Sequence, residues 1–199
     1  MRVIILLAAL SVSIGLGAQA PEDTPQKLFE AGRYGEALGA VAAMGPAAPP
    51  ASIYLAGQSR LRLSQIAEAR ADFGNLSGVG NPWPLIGQSA TALVDGNHAL
   101  AIQHATQATE IAPAELYAHF QLGLAHSAAE QWEPAAAAFE TAIGIDPTFA
   151  YSYYYAGLAH SRLRRVDQMA TRLEYFLTLA PDAPEHSAVM TLMRSVRGR

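Results

Sequence analysis

The chain has 199 residues, of which 51% are hydrophobic and 15% charged, with a formal net charge of −4 and no cysteine. That length holds one repeat array or one modest domain. The charge gives no general pull toward nucleic acid, and the lack of cysteine excludes disulfides and lipid attachment through an N-terminal cysteine. Abundant alanine, a single lysine (Lys27) and no long β-branched run after residue 14 favour helix over strand.

Residues 1–20 have a composition of their own. Arg2 precedes an apolar run from Val3 to Leu16, followed by small residues that end in Ala18-Gln19-Ala20. A basic start, an apolar stretch and an A-x-A ending predict a secretory signal peptide. The run is short for a bilayer span, which needs ~20 residues. Pro21, directly after the A-x-A ending, leaves four outcomes open: cleavage after Ala20, cleavage after Ala18, an uncleaved N-terminal anchor, or a buried helix. A cysteine-free exported chain suits a bacterial periplasm, so the expected location is periplasmic, or anchored in the inner membrane and facing the periplasm.

Residues 21–49 read as a partial helical hairpin. Phe29 to Leu38 supply its turn and second helix, and Pro21 and Pro25 shorten its first. Gly45-Pro46-Ala47-Ala48-Pro49-Pro50 is a turn and extended connection, too short to separate independent cores. Asn75-Leu76-Ser77 fits a glycosylation acceptor, which matters only in a eukaryotic secretory route and is expected to be unused.

From residue 50 onward the chain repeats. Pro113, Pro147 and Pro181 are spaced 34 residues apart, and Gly123-Leu124-Ala125-His126-Ser127 recurs unchanged as Gly157-Leu158-Ala159-His160-Ser161 at the same interval. A fixed period of this size marks stacked helical hairpins. Four repeats are predicted at 50–81, 82–115, 116–149 and 150–183. Each has a small residue in its first helix, at Gly57, Ser89, Gly123 and Gly157. Each also has an apolar set in its second: Ala69, Phe73 and Leu76; Ala101, Ala105 and Ala108; Ala135, Phe139 and Ala142; Met169, Leu173 and Phe176. Pro184 opens a last helix, from about Glu185 to Val196, which covers the final apolar face. Residues 184–199 then form a cap and basic tail.

This pattern resembles the tetratricopeptide repeat, whose signature runs W-x2-L-G-x2-Y, then A-x3-F, then P. The likeness extends over roughly residues 24–197. The chain departs from the pattern at the tryptophan slot (Ile53, Leu85, His119, Tyr153) and at the tyrosine slot (Arg60, Ala92, His126, His160). The resemblance implies an all-α, right-handed superhelix of four to five hairpins plus a C-terminal capping helix, with the first helix of each repeat lining a concave groove.

No glycine-rich phosphate loop, G-x-S-x-G elbow or H-E-x-x-H pair is present. His126 and His160 fall at equivalent places in adjacent repeats. Packed helix axes are already ~8–10 Å apart, whereas zinc needs each nitrogen at ~2.0–2.1 Å. No enzyme, metal or cofactor is therefore expected. The groove positions that the resemblance implies lie six before, three before and one after the small residue. They are Ala51, Trp83, Tyr117 and Tyr151; Tyr54, Ile86, Phe120 and Tyr154; and Gln58, Ala90, Leu124 and Leu158. Family members that clamp a partner's terminal carboxylates use Lys, Arg and Asn at such places. Here the set is aromatic or aliphatic, so Trp83, Ile86, Tyr117, Phe120, Leu124, Tyr151, Tyr154 and Leu158 are expected to hold an apolar segment of a protein or peptide partner. Two other readings of the ladder stay open: a groove filled by the chain's own N-terminal segment or a second copy, and an inter-repeat core.

Charge is divided along the chain. Residues 21–149 hold five Lys+Arg against thirteen Asp+Glu, and residues 150–199 hold seven Arg against four Asp+Glu. The basic end is either a solvated helix or a contact for an acidic partner or surface. The sequence therefore predicts a non-enzymatic binding scaffold of the bacterial envelope, with a membrane-anchored assembly component as the alternative.

Overall fold

A computed structural model describes residues 23–197, and the signal or anchor segment expected at 1–20 lies outside them. Among the described residues there are eleven α-helices and no strand. They are α1 (Pro25–Glu30), α2 (Tyr34–Met44), α3 (Pro50–Arg62), α4 (Ile66–Asn75), α5 (Trp83–Val94), α6 (His98–Ile111), α7 (Leu116–Ala128), α8 (Trp132–Ile145), α9 (Ala150–Arg162), α10 (Val166–Leu179) and α11 (His186–Arg197). Consecutive helices pack against each other throughout, as in a solenoid of hairpins.

One turn geometry closes all five hairpins. Gly32, Ser64, Gly96, Glu130 and Arg164 each take a positive φ, between 57° and 73°. The amide after each reaches back to a carbonyl five residues earlier: Arg33 to Leu28, Gln65 to Arg60, Asn97 to Ala92, Gln131 to His126 and Arg165 to His160, at 2.8–2.9 Å. These bonds satisfy carbonyls that the first helix leaves unpaired at its end. Second helices α6, α8 and α10 stop two residues before Pro113, Pro147 and Pro181, where a ring without an N–H cannot continue the ladder.

The small residue of each first helix sets how closely the pair can approach. A Cβ built on Gly123 would lie 2.5 Å from the Phe139 ring, so nothing larger than hydrogen fits there without shifting that ring. Ser89 fills the equivalent place in its own hairpin, and its hydroxyl donates to the Ala101 carbonyl at 2.8 Å.

First helices of neighbouring hairpins also touch one another (α1 with α3, α5 with α7, α7 with α9), which puts them on the inner side of the curve. The main core runs along this side from Phe29 to Ala159. A second cluster, formed by Tyr153, Met169, Leu173, Phe176, Val189 and Met193, seats α11 on the last hairpin. Among the described residues no helix is long and apolar enough to cross a membrane.

Candidate functional site: the inner face of the superhelix

The inner face has two regions with different surroundings. Near the N-terminal ends of α7 and α9 it is filled by the chain itself. Tyr54 of α3 lies on Tyr117 at 5.3 Å between ring centroids, and its hydroxyl donates to the Gln121 side-chain oxygen at 2.7 Å. Gln121 in turn donates to Ser89 at 3.2 Å, so this buried polar chain ends satisfied at the Ala101 carbonyl. Trp83 packs on Tyr117, and Phe149 bridges Tyr117 and Phe120.

Helix α1 lies across the same region. The Phe29 ring sits 5.0 Å from Tyr151, and the Glu30 carboxylate accepts from the Ala150 amide, 120 residues away, at 2.8 Å. Ala150 is the first residue of α9, and α9 has no side-chain cap from its own flank. Glu30 therefore caps a helix at the far end of the chain. Burial pushes the Glu30 carboxyl up to about 7. The Ala150 amide, Gln26 and Lys27 only partly offset that, and Asp146 adds to it.

Arg62 and Glu185 complete the closure. Arg62 donates to Glu185 at 2.7 Å and to the Tyr155 hydroxyl at 3.1 Å, and its guanidinium lies 5.3 Å from the centre of the Tyr151 ring. Tyr151 donates to the other Glu185 oxygen at 2.9 Å. Burial first, and the Glu185 charge next, hold the Tyr151 hydroxyl above the usual phenol range, so it stays a donor.

Toward the C-terminal ends of α7 and α9 the face is open. A cleft of about 330 Å³ lies there, lined by Leu124 and Ala128 of α7, Trp132 of α8, and Tyr155, Leu158 and Arg162 of α9. Arg162 is exposed and stacks over Trp132 at 5.3 Å. Tyr155 belongs to both regions. It stacks on Phe139 at 5.6 Å, meets Phe120 edge-on and also borders the cleft.

The eight residues expected to line a groove are divided between these surroundings. Ile86, Tyr117, Phe120 and Tyr151 are buried in the core rather than offered to solvent. Tyr54 of α3 covers Tyr117, Phe29 of α1 covers Tyr151, and Phe139, Phe149 and Tyr155 enclose Phe120, so these atoms stand where a partner's would. Trp83, Leu124, Tyr154 and Leu158 are half-buried, and of these Leu124 and Leu158 share the cleft. Counting from the small residue of each first helix missed Trp132, which starts a second helix, and Arg162. The Arg162 position was open to inference, because it lies four residues after Leu158 on one helical face.

The two histidines of the repeated pentapeptide have different partners. The His126 ring lies 2.7 Å from the Gln131 side-chain oxygen. His160 is buried and meets Glu140 at 3.0 Å. Burial raises the Glu140 carboxyl, but hydrogen bonds from Arg172 and His160 outweigh it and hold it below its ordinary value.

No protein-family profile and no curated protein matches this sequence. Solved structures do match. One is a thermophilic tetratricopeptide-repeat protein of Thermus thermophilus, with a TM-score of 0.62 and 17% identity over 88% of this chain and 96% of that one. Another is YrrB, described as a tetratricopeptide-repeat protein with an unusual peptide-binding site, with a TM-score of 0.53 and 18% identity over 85% of this chain and 88% of that one. A third is the first tetratricopeptide-repeat domain of Spaghetti bound to an HSP90 peptide, with a TM-score of 0.52 and 17% identity over 57% of this chain and 90% of that one. At these identities the likeness establishes the fold: an all-α superhelix of tetratricopeptide-type hairpins.

Proposed function

We propose that this chain is a non-enzymatic scaffold that holds an apolar side chain of a protein or peptide partner on the open part of its inner face. The observation that carries this reading is the cleft between Leu124 and Leu158, an apolar recess on a rigid stack of hairpins. Trp132 and Tyr155 give it aromatic walls, which bury much area with few rotors. Arg162 over Trp132 puts a cation at the rim. Because the walls are fixed by packing along both helices, binding there costs little ordering entropy. The peptide-bound domain of Spaghetti and the peptide site of YrrB support the reading by likeness of fold.

The segment at 1–20 extends the reading to location. Export to a bacterial periplasm with removal of the signal peptide is the version we favour. A membrane-anchored assembly component with an uncleaved segment is the alternative that the run from Val3 to Leu16 supports. The mass of the mature chain distinguishes the two.

In-cell photo-crosslinking tests the binding reading. A crosslinker replacing Leu158 is expected to give a discrete heterologous adduct, and one replacing exposed Ala137 on α8 is not. Adducts at both positions, or at neither, would remove the cleft as the binding site.

A further inference from the structure

We propose that α1 is a displaceable occupant of the inner face, and that the surface beneath it fits a partner helix bearing an aromatic residue directly followed by a carboxylate. This deepens the scaffold reading and rests on it for the existence of a partner, although the test below needs only the chain's own helix.

The structure shows what the surface selects, because α1 already occupies it. Phe29 lies against Tyr151, and the next residue, Glu30, caps α9 through the Ala150 amide. The slot thus combines an aromatic wall with a helix N-terminus that has no cap of its own. An incoming helix with the same pair of side chains would meet both needs.

Displacement has a physical basis, because α1 is weakly held by its own structure. It has six residues, well under the roughly 12–15 at which isolated helices become even marginal in water, so docking keeps it helical. It is joined to α2 by one short turn, Ala31 to Arg33, centred on Gly32 at φ 72°. It also buries a carboxyl group at Glu30, an unfavourable group to desolvate. Its hold is therefore tertiary, through the burial of Leu28, Phe29 and Glu30, and a helix that buries the same groups competes for the same surface.

Gly32 offers a means of tethering the turn that ends the helix, at a positive φ that Ser64, Glu130 and Arg164 also adopt in the equivalent turns. A Cβ built there would lie 3.7 Å from the Pro184 Cβ, inside the range of roughly 3.5–4.5 Å that a disulfide spans. The chain has no native cysteine, so a G32C/P184C double variant forms this bridge without competition. The probe is a fluorescein-labelled peptide of residues 23–34, titrated by anisotropy against the full chain. Three proteins are compared: the oxidised double variant, the same protein reduced, and Phe29→Ala.

The expected result is saturable binding of one peptide per chain to the reduced and Phe29→Ala proteins, at least about tenfold tighter than to the oxidised protein. Peptides carrying Phe29→Ala or Glu30→Ala, which remove the ring or the acceptor oxygen, should lose that binding. Equal binding to oxidised and reduced protein would overturn the proposal. So would a dimer in light scattering whose formation requires α1, because the occupant would then be a second copy. If Phe29→Ala fails to fold, the oxidised and reduced forms of the double variant still decide the question. Failure here with a positive crosslink at Leu158 would remove the displaceable helix and leave the scaffold reading intact.

Discussion

The two ends of the inner face are built from the same helices of the same repeats, yet only one is available to a partner. Tyr117 and Leu124 lie two turns apart on α7, and Tyr151 and Leu158 lie likewise on α9. The N-terminal members are core, and the C-terminal members border an open cleft. A groove in a helical array is therefore whatever the array's own ends leave uncovered. Which residues are recognition surface depends on how far the first hairpin reaches as much as on the repeat register.

Substitutions on the two sides separate their roles. Tyr151→Ala should have the largest effect on stability, because it removes a buried ring that meets Phe29, Tyr154 and Phe176. A loss of about 3–5 kcal/mol in urea denaturation is expected. Tyr54→Phe leaves the packing but strips the Gln121 oxygen of its buried donor, at about 1–3 kcal/mol by the same assay.

Glu30→Gln reports on the closure through pH. The folded carboxyl has its pKa raised from 4.5 to about 7. Its contribution is therefore fully present below about 4.5 and is lost as pH rises through about 7. The glutamine variant should exceed the natural chain in stability at pH 8, by on the order of 1–2 kcal/mol, and match it near pH 4. A difference that did not change with pH would show that Glu30 is not buried against α9. Leu158→Ala should cost the least stability, about 1 kcal/mol or less for a half-exposed side chain. It should nevertheless weaken partner capture more than any change in the filled region that preserves the fold.

Much of the fold was legible because it is local. The 34-residue period located the turns after α6, α8 and α10, and the small residues marked each helix crossing. These features depend on contacts within one hairpin or between neighbours. The closure was not legible, since it joins Glu30 to Ala150 and Arg62 to Glu185 over 120 and 123 residues. Such contacts depend on the accumulated twist of every intervening hairpin, and no single repeat encodes that. The aromatic ladder lies on first helices, but aromatic side chains serve equally as core and as binding surface. The position of Phe29 and Tyr54 inside the curve decides between those roles for Tyr151 and Tyr117.

The most direct test of this division is solvent paramagnetic relaxation in an NMR spectrum of the unmodified chain, with a soluble gadolinium chelate as the probe. Strong relaxation of the Leu124 and Leu158 methyl protons is expected. The Ile86 methyls and the Phe29 and Tyr151 ring protons should be protected. Relaxation of Phe29 and Tyr151 as strong as that of Leu158 would contradict the division, because the inner face would then be open along its whole length.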